Sequence, residues 1–255
     1  MGKTSDHFGL SGPSPSLKGR LAGYVNALLK PLGVRLERVR IYPSLLQRAL
    51  NACSQPFIVE VGAFYPGHTV EKVRADGHDA DFILFEPSSF GSDGLRKAYG
   101  EDPHITVEQL AVGDFDGEIT FTENDYGGAS SVLNMSPEAQ KEYTWMSRTR
   151  KGVVPCVRLD SYFKKHPHRD IDLLIVDVQG YEDRVLQGAS ETLVRTRNCL
   201  VEVSMMSSYE GGARPEKTLQ LLTDAGFDPV GNALVWGSSA TGDLWELDML
   251  FRKAR

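Results

Sequence analysis

Short apolar runs alternate with amphipathic stretches along most of this chain. Five runs have the length of a strand: residues 56–63, 81–87, 105–114, 171–178 and 198–204. Apolar positions at helical spacing follow most of them, at 67–75, 91–99, 181–194 and 214–227. Continuous apolar strands separated by helices are typical of parallel sheets that are covered on both faces. The pattern therefore predicts an α/β fold with a doubly wound, mostly parallel sheet.

Two later segments predict departures from a purely parallel sheet. Residues 118–124 alternate between polar and apolar side chains, as an antiparallel ribbon does. Residues 245–253 have a similar alternation and predict a closing, antiparallel C-terminal strand.

The first 54 residues have a different pattern from the rest. Residues 1–16 are rich in Gly, Ser and Pro, which predicts a disordered or extended arm. Apolar positions at helical spacing begin at Leu17, and a second helix is predicted at 43–53. We therefore expect an N-terminal helical extension at 17–54 and the main domain at 55–255. The basic stripe of 17–42 favours packing on the domain, and a weak contact with a membrane surface or a partner protein is the alternative.

Composition and charge narrow the range of functions. The chain has 255 residues, 41% of them hydrophobic, with a net charge of -6. Residues 1–42 carry seven basic and two acidic side chains, a net charge of +5, so the remainder carries -11. An acidic main domain argues against nucleic acid as the partner. The N-terminus lacks the apolar core of a signal peptide, and the three cysteines form no pair motif, so a cytoplasmic protein with reduced thiols is predicted.

Each apolar run has a carboxylate at its carboxyl end, and ligands of such sheets bind beyond that end. The five residues are Glu60, Glu86, Asp114, Asp177 and Glu202. A single acid at such a place usually caps the next helix or stabilises a turn. Acids at all five ends would repel one another, unless a cationic or hydroxyl-rich ligand lay among them.

The turn after the first strand and the acid after the second predict a nucleoside cofactor. Glu86 can accept both hydroxyls of a ribose. The turn reads G-A-F-Y-P-G over 62–67 instead of G-x-G-x-x-G, and Pro66 removes one amide that could bind a phosphate. A cofactor with positive charge and no phosphate fits better, and S-adenosylmethionine has both an ammonium and a sulfonium group.

The chain resembles the FkbM family of methyltransferases, which has the Rossmann-like class I fold. The segments that carry the resemblance lie in family order between residues 56 and 204: IVEVGA, FILFEP, LAVGDFDG, GASSVLN, VPCVRLDSYF, IDLLIVDVQGYEDRVLQGA and LVEVS. The resemblance implies an S-adenosylmethionine-dependent enzyme that methylates a hydroxyl of a sugar, glycan or natural product. Departures from the usual family pattern occur at Glu60, Phe64, Gly67, Ile175 and Gln179.

The candidate residues fall into three groups. Predicted for catalysis are Asp177, as the base or the group that orients the acceptor, Glu182 and His68. Predicted for the cofactor are Glu60, Gly62, Ala63, Phe64, Gly67, Glu86, Pro87, Val112 and Asp114. Predicted for the acceptor are Ser130 and Ser131, which match a family segment, with Tyr126 and Glu202.

Structural roles compete with the catalytic ones. Asp177 could merely cap the next helix, and Glu182 could be a first-turn acid favoured by the helix dipole. His68 at a helix start is more often structural. Asp177, Glu182 and Glu202 could also bind a divalent cation through oxygen ligands, but their spacing does not define a site and no metal is predicted.

Two other functions stay open at this point. An NAD-dependent Rossmann oxidoreductase would share the sheet, although the missing G-x-G-x-x-G counts against it. A catalytically inactive cofactor-binding module is suggested by Gln179, which stands where the family usually has Glu.

Overall fold

The computed structural model describes residues 44–65, 68–124, 128–142, 149–206, 208–237 and 243–254. The predicted arm at 1–16 and the helix at 17–42 lie outside these residues. The described helices are α1 (Leu45–Leu50), α2 (His68–Ala75), α3 (Ser89–Tyr99), α4 (Pro137–Glu142), α5 (Leu159–Lys165), α6 (Glu182–Gln187), α7 (Ser190–Val194) and α8 (Pro215–Asp224). The strands are β1 (Phe57–Val61), β2 (Asp81–Phe85), β3 (Ile105–Glu108), β4 (Ala111–Val112), β5 (Gly117–Asn124), β6 (Thr149–Val157), β7 (Ile171–Val176), β8 (Thr196–Ser204), β9 (Phe227–Gly237) and β10 (Leu244–Lys253).

Seven strands form the central sheet, in the order β3-β2-β1-β7-β8-β10-β9. Pairing is parallel from β3 to β8, and β10 runs antiparallel to both β8 and β9. Every residue of β1 and β7 is buried, as expected for central strands covered on both faces. The predicted α/β fold with an antiparallel C-terminal strand is confirmed.

The strand order reverses between β1 and β7. The chain builds outward from β1 to β3 and later returns to the other side of β1 with β7. Ligands of open α/β sheets bind beyond the carboxyl ends of the strands at such a reversal. Gly62 and Asp177 are the residues that follow β1 and β7 there.

Alternate residues of the strands pack on opposite faces of the sheet. On the first face, Val59, Leu174 and Val176 pack with α5 to α8 in one core. On the second face, Ile58 and Ile175 belong to a core with α1 to α3. Because side chains alternate with a period of two, Asp177 follows Ile175 onto the second face.

Residues 105–114 do not form the single strand that the apolar pattern predicts. The run divides into β3, which pairs with β2, and β4, which pairs with β6 in a separate three-stranded sheet. That small sheet has the order β4-β6-β5, and β5 is antiparallel to β6 as the alternation at 118–124 predicts. Asp114 therefore follows a strand of the small sheet and not one of the central sheet.

Strand β9 has no clear signal in the sequence. Pro229, Gly231 and Asn232 lower its strand propensity, and its pairing with β10 contains register shifts. It lies at the edge of the sheet, where proline and irregular pairing are tolerated.

Among the described residues, no helix is both long and apolar enough to cross a membrane.

Candidate active site

A cavity opens beyond the carboxyl ends of β1, β2 and β7. It encloses about 610 Å³, part of it open to solvent. The lining residues are Val61, Gly62, Phe64, Phe85, Glu86, Pro87, Leu110, Ala111, Val112, Phe121, Gly128, Ser130, Val132, Asp177, Val178, Gln179 and Tyr181. We call it the first cavity.

The turn after β1 closes the floor of the first cavity. Gly62 has φ +87°, and a side chain there would start 1.8 Å from the carbonyl oxygen of Asp177, so only glycine fits. The amides of Gly62 and Ala63 both donate to the Phe85 carbonyl at 3.0 Å, and that of Phe64 donates to the Gly62 carbonyl at 2.9 Å. These three amides are used within the protein, so the turn does not present them to a phosphate.

Glu86 presents one carboxylate oxygen to the first cavity. Its Oε1 accepts hydrogen bonds from the Ser88 amide at 2.8 Å and the Ser88 hydroxyl at 2.5 Å. Its Oε2 has no such partner within the described part of the chain. Burial raises the pKa of this carboxyl, and the bonds from Ser88 oppose the rise. A nearly buried acceptor at this place fits the hydroxyl groups of a ribose.

Gln179 joins two carboxylates at the end of β7. Its Nε2 donates to Asp177 Oδ1 at 2.9 Å and to Glu202 Oε2 at 3.1 Å. The Tyr209 hydroxyl lies 3.0 Å from Gln179 Oε1, and the Ser131 hydroxyl donates to the Gln179 carbonyl at 2.8 Å. Gln179 has φ +56°, which is uncommon for a residue with a side chain and is found at functional sites.

The carboxyl groups of Asp177 and Glu202 are more basic than isolated ones. Burial raises the pKa of Glu202 well above its usual value, and the negative charge of Asp177 adds to the rise. Dense surrounding protein also raises the pKa of Asp177, although much of the side chain remains open to solvent within the cavities that it lines. That openness to solvent moderates the rise. A carboxylate with raised basicity is suited to accept a proton from a hydroxyl.

Glu182 lies beneath the turn and outside the lining of the first cavity. It is almost completely buried, and its Oε1 accepts from the amides of Val178 at 3.2 Å and Gly180 at 3.0 Å. Burial raises its pKa to about 7. These bonds fix the turn that carries Gln179 at the start of α6.

The remaining candidates for the cofactor and catalysis divide between the cavity and the surface. Pro87 and Val112 line the first cavity, whereas Ala63 is buried behind it. Asp114 lies outside the lining, 3.6 Å from the guanidinium of Arg184.

The other candidates include two that the structure does not describe. His68 is exposed at the start of α2 and does not line the first cavity. Ser130 lines it, and its hydroxyl accepts from the Asn124 amide at 2.9 Å. Gly67 and Tyr126 lie outside the described residues.

A second cavity lies on the second face of the sheet, on the other side of Asp177. It encloses about 1280 Å³, part of it open to solvent, and its lining includes Glu60, Asp177, Glu202 and Asp248. In the described ranges, no group of three or more His, Cys, Asp or Glu side chains has the arrangement of a metal site.

The sequence patterns did not identify three residues of the site. Gln179 stood out only as a departure from the family pattern, Tyr209 gave no signal, and Asp248 was one of several acids in the closing strand. The signal for Asp248 was present in the alternation of 245–253, which places Asp248 and Leu250 on one face.

A family model and a curated protein match this chain. A model of the FkbM methyltransferase domain matches residues 60–229, about two thirds of the chain. The curated 2-O-methyltransferase NoeI of Sinorhizobium fredii (strain NBRC 101917 / NGR234) is 27% identical over 213 residues, which are 81% of this chain and 85% of that protein.

Two solved structures are also similar. Methyltransferase FkbM from Methylobacillus flagellatus KT has a TM-score of 0.48 and 13% identity over 78% of this chain, which spans 44% of that protein's length. N-methyltransferase NodS from Bradyrhizobium japonicum WM9, in complex with S-adenosyl-l-homocysteine, has a TM-score of 0.46 and 15% identity, covering 83% of this chain and 84% of that one.

Proposed function

The chain belongs to the FkbM methyltransferase family and is an S-adenosylmethionine-dependent methyltransferase, and we propose that it methylates a hydroxyl group of a carbohydrate, glycan or natural product. The relative NoeI is named a 2-O-methyltransferase, which supports oxygen as the acceptor atom. The observation that carries the proposal is the place of Asp177, which lines both the first and the second cavity.

The first cavity has the chemistry that S-adenosylmethionine requires. When bound, this cofactor supplies an electrophilic methyl group on a sulfonium sulfur. Glu86 Oε2 would accept from the ribose hydroxyls, and Val112 with Phe64 would pack against apolar parts of the ligand. The internally bonded amides of 62–64 match a ligand without phosphates.

Asp177 is the residue that would act on the acceptor. Methyl transfer from a sulfonium needs mainly alignment and the exclusion of water, and an alcohol acceptor also benefits from a base. The Asp177 carboxylate would orient the acceptor hydroxyl and take its proton. Gln179 Nε2 would hold the carboxylate in place at 2.9 Å.

Two measurements on the full chain test the proposal. Calorimetric titration with S-adenosylhomocysteine should give micromolar binding, and Glu86→Gln should weaken it about tenfold or more because a charged acceptor for the ribose is lost. Transfer of an isotope-labelled methyl group to a panel of sugars should give alkali-stable O-methyl ethers. Failure to bind S-adenosylhomocysteine, or label found on nitrogen instead of oxygen, would contradict the proposal.

A further inference from the structure

Four adjacent strands place carboxylates on one wall of the second cavity. Glu202 on β8 lies directly opposite Asp248 on β10. On its other side, Val201 pairs with Val176, so the next residues, Glu202 and Asp177, are also neighbours. Glu60 on β1 pairs with Ile175 of β7, two residues before Asp177, and lines the same cavity. We call these four residues the acid wall.

Part of the acid wall has no partner among the described residues. Glu60 is nine-tenths buried, and its Oε1 accepts from the Thr69 hydroxyl at 2.6 Å. Its Oε2 is buried and has no hydrogen-bond partner among the described residues. Asp248 is half-buried, and its carboxylate likewise has no hydrogen bond or ion pair within the described ranges. Lys72 on α2 is the one basic side chain among the described residues of the lining.

The acid wall is electrostatically unfavourable as it stands. Like charges directly opposite in a sheet destabilise it. Burial and, to a smaller extent, the charge of Asp177 together raise the pKa of Glu60 to about 7 and that of Asp248 to about 6. Lys72 opposes both shifts. A cation in the cavity would offset this cost, would pair with the half-buried carboxylate of Asp248 and would stabilise the ionised form of the buried Glu60.

The side chains that line the second cavity restrict the kind of cation that fits it. Beside the carboxylates, the wall includes the apolar side chains of Ile175 and Leu200. Asp177 belongs to both cavities, so a ligand held by the acid wall lies next to the proposed methyl-transfer site. An organic cation with several hydroxyl groups fits this mixture of carboxylate and apolar surface.

We propose that the acid wall binds the ammonium group of an amine-bearing carbohydrate acceptor, whose neighbouring hydroxyl is thereby placed at Asp177. This inference rests on the proposed function and names the class of its acceptor. Ammonium donates charge-assisted hydrogen bonds, for which Glu202 and Asp248 offer carboxylate oxygens on one face, and the buried carboxyl of Glu60 adds electrostatic attraction. An acetylated amine has lost that charge and would bind poorly.

Proton release should accompany binding of the amine. The groups that face Asp177 come from β1, β8, β10, α2, α6 and the segment after β8: Glu60, Glu202, Glu246, Asp248, Lys72, Glu182 and Tyr209. A cation among carboxyls with raised pKa favours their ionised form. Near pH 7 the protein should therefore release protons to the buffer when the ammonium binds.

The test is calorimetric and uses the full chain. The trisaccharide of glucosamine and its fully N-acetylated counterpart are titrated into the protein, each with and without saturating S-adenosylhomocysteine, in buffers of different ionisation enthalpy. The amine probe should bind the complex at least tenfold more tightly than the acetylated probe, with net proton release. Asp248→Asn should reduce this preference severalfold and leave S-adenosylhomocysteine binding unchanged. Asp93→Asn, which removes a charge from an exposed side chain, is the matched control and should change neither.

Each outcome bears on one proposal. Equal affinity for the two probes, or no binding of the amine probe, would overturn the amine site. Displacement of S-adenosylhomocysteine by the amine probe would overturn it too, because the acid wall would then serve the ammonium of the cofactor. Displacement of the amine by millimolar Mg²⁺ would assign the wall to an inorganic cation. If the unmodified protein bound the amine probe but did not bind S-adenosylhomocysteine, the result would count against the proposed function and not against the amine site.

Discussion

Strand β7 has an aspartate at each end, and the two have opposite surroundings. Asp172, near the start, is buried and accepts from the Phe57 amide at 2.9 Å. Its carboxylate also lies 2.8 Å from Arg197 and 3.3 Å from Arg169. Asp177 is open to two cavities, and its hydrogen bond in the described structure comes from the neutral amide of Gln179.

We interpret this difference as one between an acid that stabilises the fold and an acid that is kept for a ligand. A buried carboxylate with hydrogen bonds and two guanidinium groups is satisfied within the protein. Asp177 instead faces the other members of the acid wall, and its charge raises the pKa of Glu60, Glu202 and Asp248, which makes them harder to ionise. Proteins retain such an arrangement where function requires it.

The largest expected effect is on catalysis at the carboxyl end of β7. Asp177→Asn keeps an acceptor for Gln179 but removes the base, so methyl transfer should fall about 10²–10⁴-fold. The affinity for S-adenosylhomocysteine should remain within a few fold. Single-turnover rates with the identified acceptor, beside calorimetric titration, separate the two quantities. A variant with nearly full activity would show that another group takes the proton.

The matching substitution at the other end should change stability and leave activity alone. Asp172→Asn removes the charge that faces Arg169 and Arg197, which we expect to lower the free energy of unfolding by about 2 kcal/mol. Both arginines are partly exposed, so solvent screening keeps the loss moderate.

Asp170→Asn serves as the control for that substitution. Asp170 pairs with Arg195 at the surface, and its replacement should change the free energy by less than about 0.5 kcal/mol. Urea denaturation measures both variants. A stability of Asp172→Asn equal to that of the unmodified protein would contradict the structural role of Asp172.

A third prediction concerns pH and Glu60 in the acid wall. Its pKa rises from 4.5 to about 7 on folding, mainly through burial. The folded state therefore holds this proton more tightly, so this contribution to stability is present below pH 4.5 and is lost as the pH rises to 7. Glu60→Gln should flatten that fall and be more stable than the unmodified protein at pH 8, by about 1–3 kcal/mol.

Unfolding curves at pH 5 and pH 8 measure this difference. The exposed Glu216 of α8 provides the control, since Glu216→Gln should change both values equally. If the free energy of unfolding depended on pH identically in Glu60→Gln and the unmodified protein, burial would not raise the pKa of Glu60.

The smallest expected effect comes from the amide that joins Asp177 to Glu202. Gln179→Met has similar length but cannot donate, so the two carboxylates lose their common partner. We expect kcat to fall about tenfold through misplacement of Asp177, with a smaller change in KM. The pH profile of kcat should also shift to higher pH, because a hydrogen bond that favours the ionised form is lost. An unchanged profile would leave Gln179 with a merely structural role.

The sequence predicted the parts of the site that depend on local patterns. Gly62, Glu86 and Asp177 follow apolar runs, and the rule that ligands bind at strand ends brings them to one edge. Asp248 could not be placed in this way, because β10 enters the sheet between β8 and β9, late in the chain. The contact between Tyr209 and Gln179 joins residues 30 positions apart in irregular segments, which leave no periodic signal.

The division of residues 105–114 into two strands also depends on contacts with distant parts of the chain. The apolar run is continuous in the sequence, but only β3 has a partner in the central sheet, and β4 turns away to pair with β6. Pairing partners, and not the local pattern, determine where that strand ends. Asp114 was for this reason grouped with acids from which the structure separates it.

The most direct test of the comparison is the free energy of unfolding of Asp177→Asn at pH 8. It needs no knowledge of the acceptor. If Asp177 is held for a ligand and its charge makes Glu202 and Asp248 harder to ionise, the variant should be as stable as the unmodified protein or more stable, by up to about 1 kcal/mol. A loss of 1 kcal/mol or more would mean that Asp177 stabilises the fold as Asp172 does, and the contrast between the two ends of β7 would fail.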